Sequence, residues 1–340
     1  MLGKTDPNQG DSAMALPKPV LVVVAALISG AALITGAAFI AGAALAQQSP
    51  MPPEIAARLV EMGRVIDPPN TLALYAPLQQ KEPYQGVRIE RDVKYGAADR
   101  NLLDIFVPEA AAGSPRPVLI FVHGGAFVGG NKRTTPTSPF YDNIMLWAAK
   151  NGFIGVNVTY RLAPQAPWPA GAQDIATAVR WVHDKIGERG GDPARIYLMG
   201  HSAGAAHVSS YVSHPEFHEV KGGGLAGAIM VSGIYDLTAT PMAETQHAYF
   251  GVDPARYAER SSLAGLAATS VPLMLAAAEL DPAGFVLQFD LMKQATCKRA
   301  SGCARALLLP QHNHMSEVYS INTADTRLTD QILDFVKTGK

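Results

Sequence analysis

Residues 195–212 read Arg-Ile-Tyr-Leu-Met-Gly-His-Ser-Ala-Gly-Ala-Ala-His-Val-Ser-Ser-Tyr-Val. The apolar run Ile196 to Met199 has strand character, Gly200-His201-Ser202-Ala203-Gly204 interrupts it, and the small residues beyond suit a helix. A serine hydroxyl is a weak nucleophile, so a chain that uses one must present it on a sharp turn where a base can reach it. Glycines at 200 and 204 suit that turn, because without Cβ atoms the strand and helix can approach closely. Alone, Gly-x-Ser-x-Gly arises by chance in roughly one or two chains in ten of this length. Its strand-to-helix context, and its partners elsewhere in the chain, carry the reading.

Working outward, the pattern is one of alternating strands and helices. Residues 87–95 and 101–107 alternate in strand fashion across a turn at 96–100, as an antiparallel hairpin at a sheet edge would. Residues 117–122 form a continuous apolar run, expected of a strand covered on both faces, and end at His123-Gly124-Gly125-Ala126. Helix 139–150, strand 153–158, helix 170–186, strand 195–199, the elbow and its helix to 213, and strand 225–231 follow. After a mixed polar insertion at 233–269 come strand 272–278, helix 285–295, strand 304–309 and an amphipathic helix at 325–337. This alternation predicts an α/β fold: a mostly parallel eight-stranded sheet, helices on both faces, and a small insertion after the sixth strand.

A nucleophilic serine needs a base, a group to orient that base, and donors for the oxyanion. The candidate acid is Asp281 in Ala278-Glu279-Leu280-Asp281-Pro282, with Glu279 and Asp236 as rivals. The candidate base is His314 in Gln311-His312-Asn313-His314-Met315-Ser316; spacing does not separate it from His312. Each follows a predicted strand, and the chain order is Ser, Asp, His. His207, His214, His218 and His247 share no metal-ligand spacing. Trp147, Trp168 and Trp181 read first as packing residues, with a pocket border as the alternative for Trp168, just past Tyr160-Arg161-Leu162-Ala163-Pro164.

With these motifs in view, the stretch from Val87 to Lys340 resembles the α/β-hydrolases of the carboxylesterase type. His123-Gly124-Gly125-Ala126 resembles their oxyanion loop, and Tyr160 to Pro164 resembles a loop of the hormone-sensitive-lipase-like esterases. His-Asn-His-Met-Ser and His-Ser-Ala-Gly-Ala-Ala-His look closest to the small acetyl-xylan and feruloyl esterase branch. The resemblance implies a serine ester hydrolase with Ser202 as nucleophile, Asp281 and His314 as its partners, and the N–H groups of Gly125, Ala126 and Ala203 around the oxyanion. It also selects His314 over His312, since the family's catalytic histidine directly precedes an apolar residue leading to the last helix. Ala126 departs from the pattern: where the family often has a third glycine, an alanine forced to positive φ is strained. No metal or organic cofactor is implied, and the substrate is expected to be a small-molecule ester with a short acyl or aromatic group in an open pocket. The alternatives are a small-amide hydrolase of the aryl-formamidase kind with the same triad, and a binding protein that kept the fold without the chemistry.

Composition bounds the rest. At 340 residues, 48% hydrophobic and 17% charged, the chain can bury a large core, and a net charge of −1 supplies no basic surplus for nucleic acid. Val20 to Ala46 is an almost unbroken apolar run, and Ala44-Leu45-Ala46 before Gln47 fits a signal-peptidase site. Residues 1–46 are therefore expected to be a signal peptide or an anchor, with the protein periplasmic, secreted or membrane-held if the leader stays. Starting at Met14 would give a basic leader, Met14 to Lys18, in place of one where Asp6 and Asp11 offset Lys4 and Lys18. Residues 47–85 read as a surface arm and 86–340 as the catalytic domain. In an oxidising compartment Cys297 and Cys303, six residues apart in a polar turn, are expected to form a local disulfide.

Overall fold

Uninterrupted apolar runs make strands that can be buried on both sides, and such strands form the middle of the sheet. The computed structural model describes residues 51–299 and 302–340, in which eight strands, β1 (Val87–Lys94), β2 (Leu102–Pro108), β3 (Arg116–Val122), β4 (Ile154–Val158), β5 (Gly191–His201), β6 (Gly227–Val231), β7 (Leu273–Ala278) and β8 (Arg305–Leu309), lie in the order 1-2-4-3-5-6-7-8. The β1–β2 hairpin is antiparallel, with a register shift between Glu90 and Val93, and β2 is antiparallel to β4. Every other pairing is parallel, from Val118 opposite Ile154 to Ala278 opposite Leu309. This is the α/β-hydrolase arrangement anticipated above.

Period-two alternation sorts strand side chains into two cores. Val118, Ile120, Ile196, Leu198, Met230 and Leu275 face one side; Leu119, Phe121, Tyr197, Met199, Ile229 and Met274 face the other. The helices are α1 (Pro53–Met62), α2 (Pro68–Tyr75), α3 (Asp142–Lys150), α4 (Ala170–Lys185), α5 (Ala203–Ser213), α6 (Glu244–Phe250), α7 (Tyr257–Arg260), α8 (Leu263–Ala268), α9 (Ala283–Thr296), α10 (Ser316–Tyr319) and α11 (Arg327–Thr338). Helices α4, α5, α8 and α9 cover the first face, and α3, α10 and α11 the second, joined there by α1 and α2. The amphipathic pattern of α11 explains its place: Leu328, Ile332 and Phe335 recur at helical spacing and are buried.

The segment read as an arm contributes to the second core, with Leu59 of α1 and Tyr75 of α2 fully buried. The insertion after β6 holds α6 to α8, and its Tyr249 and Phe250 pack on Phe127 of the loop after β3. Cys297 and Cys303 are disulfide-bonded. The apolar run 20–46, the candidate start at Met14 and the cleavage point after Ala46 lie outside the described residues. Among those described, no helix is long and apolar enough to cross a membrane.

Candidate active site

The turn between β5 and α5 holds Ser202 at φ 57° and ψ −122°, a strained conformation for a residue with a side chain. Its N–H donates to Val231 O at 2.9 Å while its carbonyl accepts from the Ala206 N–H at 3.2 Å, so the serine joins the sheet end to the first turn of α5. The flanking glycines are required sterically. A Cβ on Gly200 would lie 2.4 Å from Gly204 O, and one on Gly204 would lie 2.1 Å from Val122 O.

Parallel strands deliver the partners, because loops after β5, β7 and β8 emerge at one end of the sheet. Asp281 follows β7 and His314 follows β8. His314 Nδ1 lies 2.7 Å from Asp281 Oδ1, and His314 Nε2 lies 2.8 Å from Ser202 Oγ. An ionised carboxylate only accepts, so the imidazole carries its proton on Nδ1 and its bare Nε2 accepts from the serine hydroxyl. The other carboxylate oxygen, Oδ2, accepts from Ser232 Oγ at 2.5 Å and from the Ala278 N–H at 3.0 Å. Phe285 of α9 lies against the imidazole, with ring centroids 4.5 Å apart.

The rival residues are occupied elsewhere. Glu279 accepts the Gln311 N–H at 2.7 Å, and Asp236 accepts from the N–H and hydroxyl of Thr238. His312 is buried between Ser316 Oγ at 2.9 Å and Asp325 Oδ2 at 3.1 Å, with Arg327 alongside.

The loop after β3 turns sharply through three residues of positive φ: Gly125 (132°), Ala126 (52°) and Phe127 (70°). The strain foreseen at Ala126 is therefore present. The turn closes through the N–H groups of Val128 and Gly129, both donating to Gly125 O. Beneath it His123 donates to Gly124 O at 2.6 Å and stacks on Tyr160, whose hydroxyl donates to His123 O at 2.8 Å. Burial pushes the His123 pKa down to about 3, so the ring is neutral and serves as a brace. Among the described residues, the N–H groups of Gly125, Ala126 and Ala203 have no hydrogen-bond acceptor in the protein. Free backbone donors beside a serine can bind a developing oxyanion.

These elements border a cleft of about 480 Å³, lined by Ser202, His314, residues 124–126 and the apolar surfaces of Ile66, Pro68, Tyr141, Met315 and Tyr319. Sequence reasoning missed Ile66 and Pro68, which lie in a segment without a catalytic pattern. Trp168 takes the packing role and not the pocket border: it lies against His214 and Phe217, with Arg260 over its ring, and is not among the residues that line the cleft.

The sheet order, the elbow and the three strand-end loops define an α/β-hydrolase fold. Comparison with known proteins agrees: the family model described as BD-FAE matches residues 103–246, a span that includes the glycine loop and the elbow and stops before Asp281 and His314. Esterase LipQ of Mycobacterium tuberculosis is 36% identical over 166 residues, 46% of this chain and 37% of that protein. A probable isoprenylcysteine alpha-carbonyl methylesterase of Arabidopsis thaliana, ICMEL2, is 37% identical over 123 residues, 36% of this chain and 27% of that protein. The match thus spans about a third of the length of these relatives. Among solved structures, esterase B of Lactobacillus rhamnosis with a tributyrin phosphonate superposes with a TM-score of 0.64 at 18% identity, covering 84% of this chain and 96% of that one.

Proposed function

We propose that the protein is a serine carboxylic-ester hydrolase acting through an acyl-enzyme on small acyl or aromatic esters. The observation that carries this reading is the chain from Asp281 Oδ1 through His314 to Ser202 Oγ, with links of 2.7 and 2.8 Å, opening on a cleft beside free backbone donors. The esterase and methylesterase names of its relatives support the same class.

In the proposed reaction Ser202 Oγ attacks the ester carbonyl carbon while His314 Nε2 takes the hydroxyl proton. Asp281 holds the imidazole in the tautomer this requires. Gly125, Ala126 and Ala203 donate to the tetrahedral oxyanion, each such donor contributing about 10²–10³-fold in kcat. His314 returns the proton to the leaving alcohol, then takes one from a water that cleaves the acyl-serine and restores Ser202.

The apolar and aromatic lining favours an uncharged acyl group, and the resemblance of His-Asn-His-Met-Ser and His-Ser-Ala-Gly-Ala-Ala-His to the acetyl-xylan and feruloyl esterase branch is the ground for naming acetyl or feruloyl. Export, by the leader at residues 1–46, is part of the proposal. The test is fluorophosphonate labelling with peptide mapping, joined to turnover of acetyl, butyryl, octanoyl and feruloyl esters and of a matched anilide. Modification at Ser202 and an ester rate far above the anilide rate are expected, with Ser202→Ala lowering kcat by about 10⁴-fold or more. Near-normal turnover in folded Ser202→Ala would end the reading, and a preferred anilide would make the protein an amidase.

A further inference from the structure

Behind the triad, and unused by the reaction above, lies a buried carboxyl group. Glu317, in the first turn of α10 and three residues after His314, is 0% exposed. Its Oε1 stands 3.3 Å from His201 Nε2, but that nitrogen already donates to the backbone carbonyl of His314 at 2.8 Å. Among the described residues, neither Glu317 oxygen has a hydrogen-bond partner.

We propose that Glu317 is a positioning residue of this site: a neutral carboxyl group, enclosed between His201 and Ser232, that holds the loops of Asp281 and His314 in register and leaves Asp281 as the one negative charge beside the imidazole. The proposal rests on the triad reading of Ser202, His314 and Asp281.

The surroundings decide the charge. Glu317 lies 3.3 Å from His201 at the end of β5 and within 4.8 Å of His314 on its own loop, and the other groups whose charge or dipole acts on it are Ser232 after β6, Tyr235 at the start of the insertion and Asp281 after β7. None of these is a fixed cation. Burial removes any charge from His201 as well, holding its ring far below the ordinary histidine range. An ionised Glu317 would lack a counter-ion and oppose the Asp281 carboxylate, and both effects hold its carboxyl well above the usual range.

A neutral carboxyl has a proton to donate. Ser232 is the neighbour that can accept it, because its own hydroxyl proton is directed to Asp281 Oδ2 at 2.5 Å. Ser232 is held there at φ 48°, with its N–H donating to Ala276 O at 2.9 Å. The observed link runs from Ser232 to Asp281, and the proposed Glu317 proton, donated to Ser232, would make one chain of the three. On its other side, Glu317 walls in the His201 ring that supports the His314 carbonyl. The grouping of His201, His314 and Glu317 has the compactness of a metal site, with ligand atoms within 4.8 Å. His314, however, already engages Ser202 and Asp281 with its two ring nitrogens.

The test compares wild type, Glu317→Gln and Glu317→Leu in the full chain. Gln reproduces a neutral acid's donor and acceptor, whereas Leu reproduces only its bulk. The wild-type minus Glu317→Gln infrared difference spectrum at neutral pH should show the C=O stretch of a protonated carboxyl. Glu317→Gln should stay within about 5-fold of wild-type kcat, and Glu317→Leu should lose about 10–100-fold in kcat with KM within about 3-fold, as loss of positioning requires. Absence of the protonated-carboxyl band, equal losses in both variants, or wild-type kcat in Glu317→Leu would each overturn the proposal. If Glu317→Leu fails to fold, the spectrum and the Glu317→Gln rate decide alone, a loss beyond about 10-fold counting against it. Turnover retained by Ser202→Ala would remove the triad reading, and this one with it, by a different result from those that remove Glu317 alone.

Discussion

Arg64 Nη1 donates to the backbone carbonyl of Asp281 at 3.1 Å, across 217 residues of sequence. The same segment reaches the loop of His314, where Asn313 Nδ2 donates to Thr71 Oγ1 at 3.0 Å in a buried site. Asn313 Oδ1 in turn accepts the N–H groups of Met315 and Ser316. Residues 51–85 thus grip the loops of both histidine and acid. Thr71→Val keeps shape but leaves the Asn313 amide unpaired, and should destabilise by about 1–3 kcal/mol. Urea unfolding measures this, and an unchanged midpoint would show that the bond contributes nothing.

The two histidines flanking Asn313 should separate by mutation. His314→Ala should lower kcat by about 10⁴-fold or more, and His312→Ala by about 10–100-fold or less, since His312 only ties the loop to Asp325 and Ser316. Rates on one activated ester, with circular dichroism to verify folding, decide the matter. An inactive, folded His312→Ala beside an active His314→Ala reverses the assignment.

The glycine loop permits opposite substitutions at adjacent positions. A Cβ on Gly125 would lie 2.1 Å from Gly129 O, at a φ of 132° that side chains rarely adopt. Gly125→Ala must therefore displace its N–H, and should lower kcat by about 10²–10³-fold. Ala126, at φ 52°, is already strained, so Ala126→Gly should raise stability by about 0.5–1 kcal/mol. Thermal melting and ester kinetics on both variants check the pair. A Gly125→Ala enzyme with normal kcat would exclude that N–H as a donor.

Acid should unfold the protein partly through two buried histidines. His207 of α5 is enclosed by Phe127, Tyr160 and Tyr249, with neither ring nitrogen hydrogen-bonded among the described residues. Burial pushes its pKa, like that of His123, from 6.5 down to about 3. The unfolded chain protonates these rings at a higher pH than the folded one. Their contribution to stability is therefore complete above about pH 6.5 and is lost as pH falls towards about 3. His207→Leu removes one such group, and should reduce the slope of unfolding free energy against pH by about 1.4 kcal/mol per unit between about pH 5.5 and 4. Urea titrations at stepped pH measure the slope, and a slope equal to wild type would refute the claim.

Much of this molecule is written locally. Continuous apolar runs such as Val118 to Val122 specify strands buried on two faces, and their alternation with helical segments specifies a parallel sheet whose loops converge at one end. Ser202 stands out because Gly200 and Gly204 leave room for the strand and helix to touch. Asp281 and His314 each follow a strand end in the order Ser, Asp, His, but position alone leaves Glu279 beside the acid and His312 beside the base, and it is the resemblance that selects His314.

Other parts have no local signature. Ile66 enters the cleft, Arg64 secures the Asp281 loop, and Ser232 and Glu317 stand behind the acid only because distant segments pack together. Glu317 reads in sequence as one more polar residue of a helix start, and it becomes an uncompensated buried carboxyl only when His201, Ser232 and Asp281 close around it. Periodicity reports which face of an element is buried. Which groups meet on that face, and hence their protonation and orientation, is set by contacts between residues far apart in the chain, and these only the tertiary structure decides.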